Sequence, residues 1–182
     1  MKRLALAAAF LVASCMNHTG SIRTTGAPLP AVPVDIDRYM GLWYEIARYP
    51  NWFERGCVAV TAEYKRISRR RISVKNTCRQ GTLNGPMKVA EGRARIVGEG
   101  RLAVSFLPGG MSFLDGVVPG RYRVIWLDPE YRMAVVVSPG FDFGWILARE
   151  PNPDQALINR ARTALEDNGY ITDALVRVEQ GT

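Results

Sequence analysis

From Tyr39 onward the chain alternates apolar and polar residues in short runs divided by turn signals. Leu42–Arg48, Val58–Arg66, Ile72–Cys78, Met87–Val97, Leu102–Leu107, Tyr122–Asp128, Tyr131–Ser138 and Phe143–Arg149 each read as a strand. Asn84-Gly85-Pro86, Gly98–Gly100, Pro108-Gly109-Gly110, Asp128-Pro129-Glu130 and Pro139-Gly140 separate them, breakers short enough to favour antiparallel neighbours. The period then changes. Ala156, Leu157, Ala161, Ala164 and Leu165 recur at helical spacing between Asp154 and Asn168, after Pro151 and Pro153 and before Gly169. This predicts one amphipathic helix packed outside the sheet, with Leu175–Val178 as a short terminal strand. Eight serial strands suit an antiparallel up-and-down β-barrel or a two-sheet sandwich, and periodicity does not separate the two.

Alternation assigns the faces. Arg121 and Arg123 outward turn Tyr122, Val124 and Trp126 inward. Arg132 outward turns Met133, Val135 and Val137 inward, and Arg93 and Arg95 outward turn Gly92, Ala94 and Ile96 inward. Leu102, Val104 and Phe106, then Phe143, Trp145 and Leu147, complete an apolar inner face. Small residues on that face leave volume that a closed barrel offers to one small ligand and a sandwich fills with side chains. The expected ligand-lining set is Phe106, Tyr122, Val124, Trp126, Met133, Val135, Phe143 and Trp145.

The N-terminus reads as a processing signal: basic Met1-Lys2-Arg3, apolar Leu4–Val12, then small Ala13-Ser14. The apolar run is far shorter than the roughly 20 residues a membrane span needs. Val12-Ala13-Ser14-Cys15 resembles the lipobox of bacterial lipoproteins, which implies cleavage after Ser14 and lipid on Cys15; the other reading is an ordinary secretory peptide with an incidental cysteine. Met16, rather than aspartate, after the cysteine implies by the same resemblance an outer-membrane anchor, with the domain facing the periplasm. Residues 16–33 carry Gly20, Gly26, Pro28, Pro30 and Pro33 with no apolar period, and read as a flexible tether of up to about 60 Å. The expected division is a signal peptide over 1–14, a lipidated N-terminus and tether over 15–33, and one domain over 34–182.

Composition narrows the chemistry. With 47% hydrophobic and 23% charged residues, the 182-residue chain has the make-up of one globular domain. Its one histidine, His18, lies in the tether, so no histidine triad or multi-histidine metal site belongs to the domain. No catalytic residue, metal or cofactor is expected. Loss of Lys2 and Arg3 lowers the formal charge from +7 to +5. Arg69-Arg70-Arg71 falls where a hairpin tip is expected, either a contact for anionic headgroups or nucleic acid or a solvated turn; export argues against nucleic acid.

With Cys15 assigned to lipid, Cys57 and Cys78 are an even pair in an oxidising compartment and are expected to form a disulfide. A hairpin centred on Ile67-Ser68 sets them directly opposite. Lys75 outward puts Cys78 inward, while Glu63 and Lys65 outward put Cys57 outward. A bulge in the second strand reconciles them.

Three local motifs decide between barrel and sandwich. Gly41-Leu42-Trp43-Tyr44-Glu45-Ile46-Ala47-Arg48 resembles the Gly-x-Trp signature that opens the first strand of the lipocalins. Leu127-Asp128-Pro129-Glu130-Tyr131-Arg132-Met133-Ala134-Val135-Val136 is similar to the family's second signature, and Trp145-Ile146-Leu147-Ala148-Arg149 to its third. The resemblance covers about residues 34–180, and with the lipobox it points to bacterial outer-membrane lipocalins. It implies an all-β fold, an eight-stranded antiparallel up-and-down barrel with one C-terminal helix outside. It also implies a structural barrel end made by Gly41, Trp43 and Arg149, the guanidinium lying across the indole. The implied function is to bind, store or carry a fatty acid, lysophospholipid or similar amphiphile in envelope maintenance. Glu45 reads either as a headgroup partner or as a satisfied structural carboxylate. Two other classes stay open: a lipocalin-fold isomerase, for which no free cysteine or histidine is at hand, and a non-catalytic protein with a filled barrel that binds a partner through the apolar Pro108–Gly120 loop, residues that alternatively line the cavity mouth or touch membrane. The oligomeric state is not read from the sequence.

Overall fold

The computed structural model describes residues 21–30, 32–106, 120–140 and 142–181. The signal segment, Cys15 and nearly all of the Pro108–Gly120 loop lie outside the described residues. Every run of alternating residues becomes a strand: β1 (Gly41–Arg48), β2 (Cys57–Ser68), β3 (Arg71–Gln80), β4 (Met87–Gly98), β5 (Arg101–Ser105), β6 (Gly120–Leu127), β7 (Met133–Ser138) and β8 (Phe143–Ala148). Each pairs antiparallel with the next, and β8 returns to β1. The sheet therefore closes as an eight-stranded barrel, and the sandwich is excluded. A short β9 (Val176–Arg177) adds to β1 where β1 has parted from β2.

The helix α1 (Ile36–Tyr39) and the β2–β3, β4–β5 and β6–β7 turns gather at one end, which we call the floor. The β1–β2, β3–β4 and β7–β8 connections gather at the other, the mouth, where β5 ends and β6 begins. Helix α2 (Gln155–Asp167) starts at Asp154, whose carboxylate accepts from Ala156 N at 2.9 Å, and buries Leu157, Ala161, Ala164 and Leu165.

Two cores result. Inside the barrel lie Tyr39, Trp43, Tyr64, Ile72, Val74, Ala94, Leu102, Val124, Ala134, Val136 and Leu147. Between α2 and the outer wall lie Ile46, Ile125, Met133, Val135, Val137, Ile146 and Ala148. This corrects the inward placement of Trp126, Met133, Val135 and Val137, which face the helix side. Arg132 belongs to the β6–β7 turn, where it donates to the Asp128 carboxylate, so its exposure carries no parity for β7. Both faces of β7 are buried, leaving no polar alternation to read. For Trp126 the cause is a bulge: Val124 pairs with Val136 but Trp126 with Val135, so Ile125 is the extra residue and the inner face passes to Leu127. The Arg160 guanidinium of α2 lies 5.6 Å from the Trp126 ring.

The disulfide is present, with Cα atoms of Cys57 and Cys78 5.5 Å apart. The hairpin register differs from expectation. Its tip is Arg69-Arg70, and Cys57 stands opposite Gln80, so the two cysteines bridge diagonally. The anticipated bulge in β2 lies between Val58 and Thr61, with Ala59 at φ 46°, and it brings Cys57 onto the face of Cys78.

The stretch read as a free tether lies against the barrel from Ser21 onward. Arg23 bridges to Tyr170, Thr24 N donates to Gly169 O at 2.8 Å, and Ile171 N donates to Ile22 O at 2.9 Å. Farther along, the Leu29 carbonyl accepts from Arg123 at 3.4 Å. A Cβ on Gly100 would lie 2.7 Å from Val32 O, so glycine is what lets the segment pass the β4–β5 turn.

The outer wall carries an unbalanced charge pattern. Glu63, Lys75 and Glu91 stand side by side across β2, β3 and β4 with alternating sign. Nearer the floor, however, Arg71 faces Arg95 and Arg101 faces Arg123. Like charges directly opposite each other destabilise a sheet, so Arg95→Glu is expected to raise stability by about 0.2–1 kcal/mol, seen as a higher urea midpoint at low salt. An unchanged or lower midpoint would show that the opposed arginines do not repel.

Candidate functional site

The barrel interior is built in three levels, beginning with a closed floor. Trp43 is fully buried, and its Nε1 donates to Tyr39 O at 2.9 Å. The Arg149 guanidinium lies 3.8 Å from the indole centroid and donates to Leu42 O at 2.7 Å, Arg38 O at 2.8 Å and Met40 O at 2.9 Å. One fork thus ties α1 and the start of β1 to the end of β8. Gly41 turns the chain there with φ +97°, and a Cβ at this position would sit 3.4 Å from Arg149 Nη1. The Gly41, Trp43 and Arg149 set stands where the sequence motifs put it.

Above the floor the Tyr39 and Tyr122 hydroxyls meet at 2.6 Å, and Tyr64 reaches Tyr122 at 3.2 Å. Burial pushes all three phenols up, Tyr64 to about 12, so the cluster is neutral and satisfies its own hydroxyls. Around it the wall is aliphatic: Val74, Leu102, Val124, Val136 and Leu147.

Toward the mouth the lining becomes polar and aromatic. Arg48 donates to Glu45 Oε1 at 2.8 Å, and to the carbonyls of Glu54 and Cys57, both at 3.1 Å. Glu45 and Arg48 are both buried. A register shift between Glu45 and Ala47 turns Arg48 to the inner face, beside Trp145. The Glu54 carboxylate accepts from Trp145 Nε1 at 3.1 Å and from Asn51 Nδ2, which folds the β1–β2 loop over the mouth. Burial, then the neighbouring Glu54, push the Glu45 carboxyl well above the usual carboxylate range, against the pull of Arg48. Asn76 follows Val74 on the inner face of β3, and its buried Oδ1 has no partner.

Of the expected ligand-lining residues, the structure brings Phe106, Tyr122, Val124, Phe143 and Trp145 to the inner face or its rim. Phe106 lies over Gly92, where a Cβ would come within 2.7 Å of its ring. Phe143 lies 6.3 Å from Trp145, centroid to centroid. Sequence reading missed Arg48, Glu54 and Asn76. The available signal was the opposite charges Glu45 and Arg48 at i,i+3 in an apolar strand. Among the described residues no group of three or more His, Cys, Asp or Glu is placed to hold a metal, and no helix is long and apolar enough to cross a membrane.

The family model described as a lipocalin-like domain matches residues 34–180. Outer membrane lipoprotein Blc of Escherichia coli K12 is 34% identical over 183 residues, covering 97% of this chain and 94% of that protein. The protein of the same name from Vibrio cholerae is 32% identical over 177 residues, covering 95% and 98%. Among solved structures, insecticyanin from the tobacco hornworm superposes with a TM-score of 0.67 at 18% identity, covering 87% of each chain.

Proposed function

This chain belongs to the lipocalin family, and from that premise we propose that it binds a fatty acid or lysophospholipid in the barrel and is held to a membrane by lipid on Cys15. Membership by itself implies a lipophilic ligand. The observation that carries the finer reading is the gradient along the inner wall. Leu102, Val124, Val136 and Leu147 suit an acyl chain at depth, and Glu45, Arg48, Glu54 and the unpartnered Asn76 Oδ1 suit a polar headgroup above it. The relatives matched over nearly their full length are named outer membrane lipoproteins, which supports placing this chain in the cell envelope; that the domain faces the periplasm is our proposal. Binding rather than catalysis fits the site: Cys57 and Cys78 are joined, so neither is a nucleophile, and lipocalins are in general binding proteins.

The test is a titration of the chain lacking residues 1–14 and carrying Cys15→Ser, with a fatty acid and a lysophospholipid below their micelle concentrations. Saturable quenching of tryptophan emission is expected. It shrinks in Trp145→Phe and persists in Trp126→Phe, because Trp126 is on the helix side of the wall. No saturable response to either amphiphile, in a protein that purifies free of lipid, would discard the reading.

A further inference from the structure

The docked N-terminal segment reaches the mouth, and the exposed aromatic residues are there too. Ser21 Oγ donates to Asp142 Oδ1 at 3.2 Å, and Ile22 N to the same oxygen at 3.3 Å. The next residue, Phe143, opens β8 and meets Phe53 edge-on at 5.2 Å, and Phe53 meets Trp52 edge-on at 5.4 Å. Trp52 is 76% exposed and Phe53 45%, and Met87 and Phe106 at the same end are 58% and 44% exposed. Arg55, two residues after Phe53, and Lys88, next to Met87, are exposed as well. Four large apolar side chains open to water at one end of the barrel mark a contact surface. An exposed tryptophan at an end of the barrel that also carries exposed basic residues suits the headgroup level of an anionic bilayer.

We propose that this rim docks on the bilayer holding the chain's own anchor, so that an amphiphile passes between that leaflet and the barrel without crossing water. The proposal rests on the reading of Cys15 as lipidated. Five residues lie between Cys15 and Ser21, so even at full stretch the acylated cysteine lies within about 20 Å of Ser21, which is itself bonded to Asp142. The leash ends one residue from Phe143, at the opposite end of the barrel from Trp43. The occupant is therefore lipid rather than a protein partner, because the acyl chains bring the bilayer to this end of the molecule.

The experiment uses the full precursor, processed and acylated in a bacterial host. It is reconstituted into phosphatidylcholine vesicles with about a third phosphatidylglycerol, some phospholipid being brominated at shallow acyl positions. A Trp145→Phe background keeps lipid inside the barrel from contributing. Bromine-dependent quenching is expected, and adding Trp52→Phe removes most of it. Labelled palmitate and flotation on a density gradient report the anchor separately. A chain that takes the label and floats, with Trp52 unquenched, overturns the docking and leaves the anchor standing. A chain that neither takes the label nor floats overturns both.

A second variant tests the exchange route, with Trp145 retained as the reporter. In the acylated chain Trp52→Ser with Phe53→Ser slows transfer of vesicle-held fatty acid into the barrel about 10-fold or more. Affinity for the same fatty acid in solution stays unchanged. An unaltered transfer rate overturns the route.

Discussion

Replacing Trp43 by alanine is expected to lower the unfolding free energy by about 3–5 kcal/mol, the largest loss from a single side chain in this fold. The indole is wholly buried and packs against Tyr39 at 4.8 Å between ring centroids, so its removal empties the floor and strips Tyr39 O of a donor. Arg149→Ala is expected to cost about 1–3 kcal/mol, because the carbonyls of Arg38, Met40 and Leu42 lose one shared donor group. The two losses are not independent, since the guanidinium rests on the indole face. Guanidinium-chloride unfolding of the single and double variants, in the chain without its acyl group, should give a coupling of about 0.5–3 kcal/mol. Arg149→Lys should recover little, as an ammonium keeps the charge but not the fork that reaches three carbonyls. Strict additivity would mean that the stacking contributes nothing.

Removing the Cys57–Cys78 bridge by paired alanine substitution is expected to cost about 3 kcal/mol, the chain-entropy value for a sequence separation of 21 residues. The bridge sits with Val60 and Val178 beside the β2 bulge, and the Cys57 carbonyl is one of the groups that hold Arg48. Its loss should therefore also loosen the β1–β2 loop, seen as faster amide exchange over Asn51–Gly56 than in the floor strands. Thiol titration of the unfolded, unreduced chain carrying Cys15→Ser should find no free cysteine. Two free thiols would remove the bridge and reopen thiol chemistry as a function.

How much of this was legible in the sequence varied along the chain. The eight strands, the outer helix and the Trp43–Arg149 floor were visible because alternation, breakers and signature residues agreed. Face assignments failed in β6 and β7 for two physical reasons. The bulge at Ile125 adds one residue without any marker in composition, and α2 buries the outer face of β7, so apolar residues occur at both parities. The β2–β3 register slipped because a turn at Ile67-Ser68 and one at Arg69-Arg70 are equally plausible in polar sequence. The docking of Ser21–Leu29 had no periodic signature, since it is held by backbone groups, by Arg23, Asp142 and Tyr170, and by only two apolar residues seven apart, Ile22 and Leu29, packed on the outer core. Arg48 became an inner-face residue only through the shift at Ile46, which also brought it to Glu45.

The pairing of β1 has a consequence for how the molecule folds. This first strand is complete only when Tyr44 has met both Thr61 and Ala148, and Arg48 has met Val176. One partner strand follows it directly and the other two lie far along the chain, so the contact order is high and closure is slow compared with helical folds. Until residues near the C-terminus arrive, β1 offers an open edge to any other strand in reach. A chain threaded N-terminus first across a membrane therefore stays unclosed during transit and shuts only after its last segment is through.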